Sequence, residues 1–369
     1  MSEGEKKKGL VLSGGGGRGA YHIGVLSFLE EQGWFPDVVA GTSIGAVNGA
    51  AIASGHKSKE LKELWRELRT RDVQKMRLSL LPTLTELWQQ LIARNGQKKE
   101  RSVTPPFVWD TAPLQKTLIE RGWIDFDKVN NRNGKQAAVD LRVTATEVET
   151  GKLRVFGNSP DPDNRGSEIE HEPLSWEHII ASCSIPLAYP ATKLGPKLKK
   201  KFYWDGATVA NTPLGAAIDA GAEDIVVVIM TPWAPDKNEV QNRPPNNLIT
   251  AASATLEWAL LASFQADLDT LKRVNKLIEL QEEIGRLLKD NYALRSQLRD
   301  EGLLADDDHD GTPDILQKKF LEHPLVVSPL EPIPVKQIIT YEKEGHERLF
   351  KQGYEDARRA WRTVREKGE

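Results

Sequence analysis

Short apolar runs alternate along this chain with stretches in which apolar residues recur every three or four positions. Gly9–Leu12, Val38–Ala40 and Ile225–Met230 are unbroken and predict strands buried on both faces. Ile23, Leu26 and Leu29 lie near helical spacing and predict a helix from about Ala20 to Gln32. A small-residue helix is expected from Ile44 to about Ser54. An amphipathic one follows over 58–70, with Leu61, Leu64, Trp65 and Leu68 on one side. Leu80, Leu81, Leu84, Leu87, Trp88, Leu91 and Ile92 then share a face, inside a long excursion punctuated by Pro82, Gly96, Pro105 and Pro106.

The stretch 139–157 reads as a hairpin turning at Glu149–Lys152, and "LSWEHIIASCSIP" as a short helix stopped by Pro186. "KKFYWDGATVANTP" reads as a strand running into a turn. A polar, proline-rich connector occupies 232–248. Beyond it Leu261, Phe264, Leu268 and Leu271, then Leu277, Leu280, Ile284 and Leu287, step by three and four. That pattern is a long amphipathic helix or helix pair, packing either on its own domain or on a second copy of the chain as a homo-oligomer. "VVSPLEP" offers a late strand, and Val335–Arg362 a closing helix. The alternation of strands and helices predicts an α/β fold. Its expected divisions are a core over 1–231, the connector, and a helical extension over 249–369 that returns to the core.

Bulk properties narrow the function classes. With 369 residues, 39% hydrophobic and 28% charged, the chain has ample material for a globular core. A formal charge of −3 gives no global attraction to nucleic acid, so any pull toward an anionic surface is local. Cys183 is the only cysteine, which excludes an intramolecular disulfide and suits a reducing compartment. The first apolar run ends after Leu12, short of a secretion signal, and the other runs are too short to span a bilayer. A cytoplasmic location is the expectation.

Two glycine motifs carry the chemistry. In "GLVLSGGGGRGAYHIG", Gly14, Gly16 and Gly19 satisfy the dinucleotide fingerprint G-x-G-x-x-G. The nucleotide readings do less well. A P-loop needs lysine and serine or threonine after its last glycine, where Ala20 and Tyr21 stand, and Asp37 precedes the second strand instead of following it. No cofactor is expected. The second motif, "GTSIG", is G-x-S-x-G from Gly41 to Gly45, with an apolar strand before it and a small-residue helix after it. Ser43 then sits on a sharp strand-to-helix turn as a candidate nucleophile, the alternative being a serine that merely caps the helix. Attack on a carbonyl creates an oxyanion, and the amides of Gly14, Gly15, Gly16 and Gly17 are suited to receive it. The proton acceptor stays open between late histidines (His309, His323, His346), His22, and Asp205 in "DGA", whose turn presents the carboxylate to solvent.

Three blocks in order, "SGGGGRG", "GTSIG" and "DGA", with "ASCSIP" and the asparagine and proline after "DGA", resemble the patatin-like phospholipases over roughly residues 9–231. The resemblance implies a three-layer α/β/α fold with a mostly parallel sheet and added C-terminal helices. It implies a Ser43–Asp205 dyad without histidine, an oxyanion hole at Gly14–Gly17, and Arg18 and Gly19 supporting that loop. Gly41 and Gly45 form the elbow around the nucleophile; Gly206 and Ala207 form the loop after the acid. The implied activity is hydrolysis of lipid acyl esters, phospholipase A or lysophospholipase in type. Rival readings are an acyltransferase or thioesterase on the same dyad, and a non-catalytic lipid-binding scaffold. A dyad faces a deficit: aspartate has a pKa of about 3.9 against about 6.5 for histidine, roughly 3.5 kcal/mol of proton affinity. Desolvation of Asp205 is expected to recover part of it.

Two further features bear on surroundings. The leucine- and tryptophan-rich face of 80–92 reads as an interfacial helix or a core helix, and the lysines of "GPKLKKKF" as peripheral contacts for anionic headgroups or a solvated loop. Asp306, Asp308, Asp310 and Gly311 follow the opening spacing of a calcium loop within Asp306–Asp314, but Gln317 stands where the bidentate glutamate belongs. No metal is expected to be needed for the chemistry.

Overall fold

The computed structural model describes residues 6–76, 109–130, 138–159, 169–171, 173–195, 200–233, 248–289, 291, 297 and 323–365. Nine strands make one sheet: β1 (Lys8–Leu12), β2 (Val38–Thr42), β3 (Asp140–Glu147), β4 (Leu153–Gly157), β5 (Ile169–His171), β6 (Thr192–Leu194), β7 (Lys201–Asp205), β8 (Asp224–Val228) and β9 (Leu325–Val327). The order along the sheet is β9-β8-β1-β2-β3-β4-β5, with β7 joined to β3 and β6 to β7. The half from β9 to β3 is entirely parallel; β3–β4, β3–β7 and β6–β7 are antiparallel. Leu10, Val11, Val39, Val226 and Val227 are buried, as unbroken apolar runs in a helix-covered parallel sheet require.

The flanking helices used below are α1 (Ala20–Glu31), α2 (Ile44–Ala53), α3 (Ser58–Glu67), α4 (Trp176–Ser182), α5 (Leu248–Lys289) and α6 (Lys343–Arg365). Helix α6 lies along α1, where Phe28 meets Tyr354 and Trp361 edge-on at 5.6 and 6.0 Å. The closing helix therefore begins later than the pattern predicts. Val335–Ile338 is a single 3-10 turn, and 339–342 is irregular. The β-branched run Ile338–Ile339–Thr340 is weakly helical, and its carbonyls turn to another use described below.

Residues 1–264 and 324–369 form one compact unit, and 265–323 a second, where the sequence pattern sets its first boundary at 231. In the second unit α5 runs on to Lys289 as one helix, with Leu268, Leu271 and Ile278 buried and Leu277 and Leu280 exposed. The face of 80–92, the calcium-like loop with His309, and most of the connector lie outside the described residues, as do Lys197 and Lys199.

Candidate active site

Strand β3 acts as a ruler for the site. Strand β2 runs parallel beside it and ends with Thr42 opposite Thr144. Strand β7 approaches the same strand antiparallel and ends with Asp205 opposite Ala145. Ser43, the residue after Thr42, and Asp205 are therefore delivered to adjacent positions by two strands converging on one. The hydroxyls of Thr42 and Thr144 bond at 2.6 Å, and the Thr146 hydroxyl donates to the Asp205 carbonyl at 3.1 Å, tying both strand ends down.

Ser43 has φ 56° and ψ −125°, a left-handed backbone that costs of order 1–3 kcal/mol for a non-glycine residue. Its side chain makes no bond to cap α2; only its carbonyl serves the helix, accepting from Ala46 and Val47 at 2.8 and 3.2 Å. That removes the reading of a serine that caps. A Cβ on Gly41 would collide with the Gly45 carbonyl, and one on Gly45 with the Leu12 carbonyl, so the elbow needs glycine at both places.

A three-residue turn at the end of α4 grips both strand ends. The Ser43 amide donates to Ser182 Oγ at 2.8 Å, and the Asp205 amide donates to the Ser184 carbonyl at 2.9 Å. Between them Cys183 is buried, and burial and the charge of Asp205 push its thiol well above its ordinary pKa. Ser182 and Ser184 are both buried. The motif "ASCSIP" is visible in the sequence, but nothing there says that it holds Ser43, 139 residues away.

Asp205 is 2% exposed, which corrects the expectation of a solvent-presented carboxylate. The turn that follows, Gly206–Thr208, folds back over it, and the Ala207 amide donates to Oδ1 at 2.8 Å. Burial raises the carboxyl from an ordinary 3.8 to about 7; hydrogen bonds with the Ser43 side chain and the Ala207 amide pull the other way.

The glycine turn stands against Ser43. A Cβ placed on Gly14 would lie 3.1 Å from that of Ser43. Gly14 differs from its neighbours: its amide donates to Asn211, to the carbonyl at 3.2 Å and to the side-chain oxygen at 3.0 Å. Gly16–Gly19, with Arg18 buried among them, forms a 3-10 turn whose first amides have no acceptor within it. Among the described residues the amides of Gly15, Gly16 and Gly17 have no hydrogen-bond acceptor, whereas that of Gly14 is taken by Asn211. Asn48 on α2 secures the end of this turn by donating to the Gly19 carbonyl at 2.9 Å. Behind it the carbonyls of Gln337, Ile338 and Thr340 pack so closely on Gly16 and Gly17 that neither position has room for a Cβ.

The histidines lie elsewhere. Burial holds His22 near pKa 3, with Asn48 donating to its Nδ1 at 3.2 Å. His346 is held near 4 by burial, against a bond from Nδ1 to the Trp65 carbonyl at 2.7 Å. His323 is exposed. Among the described residues no group of three or more His, Cys, Asp or Glu side chains could hold a metal ion.

Comparison with known proteins gives the same three motifs a context. Triacylglycerol lipase 4 of Saccharomyces cerevisiae is 29% identical over 204 residues, 54% of this chain and 20% of the lipase. The uncharacterized protein YqhO of Bacillus subtilis is 28% identical over 244 residues, 65% of this chain and 75% of that protein. Lysophospholipase NTE1 of Meyerozyma guilliermondii is 29% identical over 255 residues, 69% of this chain and 14% of the relative. The chain thus spans only a fifth of the yeast lipase and less of the lysophospholipase. The family model for patatin-like phospholipase matches residues 10–218, more than half of the chain and all three motifs. With that match laid over the elbow, the glycine turn and the acid loop, the chain belongs to the patatin-like phospholipase family.

Proposed function

We propose that this chain hydrolyses acyl esters of lipids, with Ser43 as nucleophile, Asp205 as base, and the amides of Gly15 to Gly17 as oxyanion donors. The observation that supports the reading most directly is the delivery of Ser43 and Asp205 to neighbouring positions along β3. In the first step Ser43 Oγ bonds to the ester carbonyl carbon as its proton passes to Asp205. The carbonyl oxygen becomes an oxyanion facing the glycine turn, where each donor contributes roughly 2.7–4 kcal/mol. Collapse breaks the bond to the leaving alcohol, which takes the proton from Asp205. Water then attacks the acyl-serine, gives one proton to Asp205, and releases the acid as Ser43 recovers its hydrogen.

The names of the relatives, a triacylglycerol lipase and a lysophospholipase, support glycerolipid esters as the substrate class. Among the described residues no helix is long and apolar enough to cross a membrane.

A fluorophosphonate probe tests the nucleophile and base together. Wild type is expected to be labelled at Ser43, Ser43→Ala not at all, and Asp205→Asn about a thousandfold more slowly. His346→Ala is expected to keep its labelling rate and ester hydrolysis. Labelling of Asp205→Asn at the wild-type rate would remove Asp205 from the chemistry.

A further inference from the structure

Among the described residues two that are not glycine have a left-handed backbone: Ser43, and Leu187 at φ 66°. The elbow accounts for the first. Leu187 lies in a turn in which the amides of Ala188 and Tyr189 donate to the Ile185 carbonyl at 3.2 and 2.8 Å. Pro186 cannot take a positive φ, so Pro186 and Leu187 are the central pair of a type II turn, whose second place ordinarily holds glycine. Here it holds leucine, and that side chain is 71% exposed. Among the described residues the fold thus bears a strained backbone and an uncovered apolar side chain at one residue.

The position of the turn gives this meaning. It starts directly after Ser184, whose carbonyl holds the Asp205 amide. On its other side the Ala188 carbonyl accepts the Trp109 amide at 2.9 Å. Trp109 pairs with Met76 in a two-residue ribbon (Lys75–Met76 with Trp109–Asp110), and Met76 is 67% exposed. Leu187 and Met76 are therefore exposed apolar side chains on segments joined through Trp109, and the Leu187 turn follows directly on Ser184. The hairpin β6–β7 that follows carries Lys193 over the Phe202 ring, with Lys200 exposed beside it and Lys201 paired with Glu147 at 3.0 Å, a basic edge of the kind that anionic headgroups call for. A leucine side chain recognises no headgroup; it recognises hydrocarbon.

We infer that Leu187 is an interfacial anchor, entering the acyl-chain layer of an aggregated lipid surface and seating the Ser43–Asp205 mouth on it. Its use in hydrolysis rests on the function proposed above; the insertion does not.

The test compares wild type, Leu187→Gly and Leu187→Asn on two substrates, a soluble short-chain p-nitrophenyl ester and a fluorogenic long-chain phospholipid in mixed phosphatidylcholine–phosphatidylglycerol vesicles. Because glycine fits φ 66° without strain, Leu187→Gly is expected to raise Tm by about 2 °C. Soluble-ester turnover should stay at the wild-type rate, while vesicle hydrolysis falls about ten- to a hundredfold in both variants. Sedimentation of the same vesicles with Ser43→Ala and Ser43→Ala/Leu187→Gly reads binding without catalysis, and the double variant should bind about tenfold or more weakly. Equal sedimentation would overturn the anchor. So would equal losses on both substrates, or a lowered Tm in Leu187→Gly, since either means that the side chain packs within the chain. If wild type cleaves neither substrate the hydrolytic reading fails, and sedimentation still decides the anchor.

Discussion

Asp205 combines opposed demands in one carboxyl group. As the proposed base it must be ionised, yet burial holds its pKa near 7. With Ser43 attacking only when the carboxylate is free, kcat/KM on a soluble ester is expected to rise with pH, reach half its plateau near pH 7 and stay flat above. A half-point near 4 would mean that the working enzyme does not desolvate the base. The same shift acts on folding with the opposite sense. The folded protein keeps this proton when the unfolded chain has released it, so stability is full below about pH 4 and declines as pH rises through 7. The loss is on the order of 4 kcal/mol. Asp205→Asn has no proton to lose, so from pH 4 to 8 wild type should fall in urea-denaturation stability by about that much relative to the variant. Parallel curves would place the carboxyl at an ordinary pKa. The identity of this residue was legible in "DGA", but its burial was not, because its backbone is pinned by Ser184 and Thr146, remote in sequence, beneath the turn that Ala207 closes.

At the scale of elements, the turn after α4 fixes the spacing between Ser43 and Asp205, one partner through a side chain and the other through a carbonyl. Ser182→Ala leaves the Ser43 amide buried without an acceptor, at about 1–3 kcal/mol. The expected result is a kcat about ten- to a hundredfold lower on a soluble ester with KM unchanged, because the bond sets Ser43 geometry without touching substrate. Ser182→Thr retains the hydroxyl and should restore most of the rate; equal losses in both variants would make the effect one of packing. Strands and helices around these positions were legible because apolar runs and helical spacing are local signals, and the elbow because its glycines flank the serine they serve. The distribution of amides in the glycine turn was not legible. Gly14 is chemically identical to Gly15 in the sequence, and only the arrival of Asn211, 197 residues later, distinguishes them.

Across the whole compact unit, residues far apart in the chain close one wall around the reaction. The 3-10 turn Val335–Ile338 and the residues after it press their carbonyls onto Gly16 and Gly17, while β9 completes the parallel half of the sheet beyond β8. Gly16→Ala would meet the Ile338 carbonyl and take an unfavourable φ of 57°. It is expected to cost roughly 1–3 kcal/mol of stability and to lower kcat more than it raises KM, since the displaced amides face the oxyanion. Gly215→Ala, in helix Leu214–Asp219 with open space around it, is the control and should stabilise by about 0.5–1 kcal/mol. A Gly16→Ala variant as stable and active as wild type would show that this wall yields. The wall also has a consequence in time. On the ribosome, serine, aspartate and the glycine turn all emerge well before the residues that back the turn, so the nascent polypeptide carries its reactive groups unsupported. On the function proposed above, ester cleavage is expected only once residues 337–340 have been translated and have docked on Gly16 and Gly17.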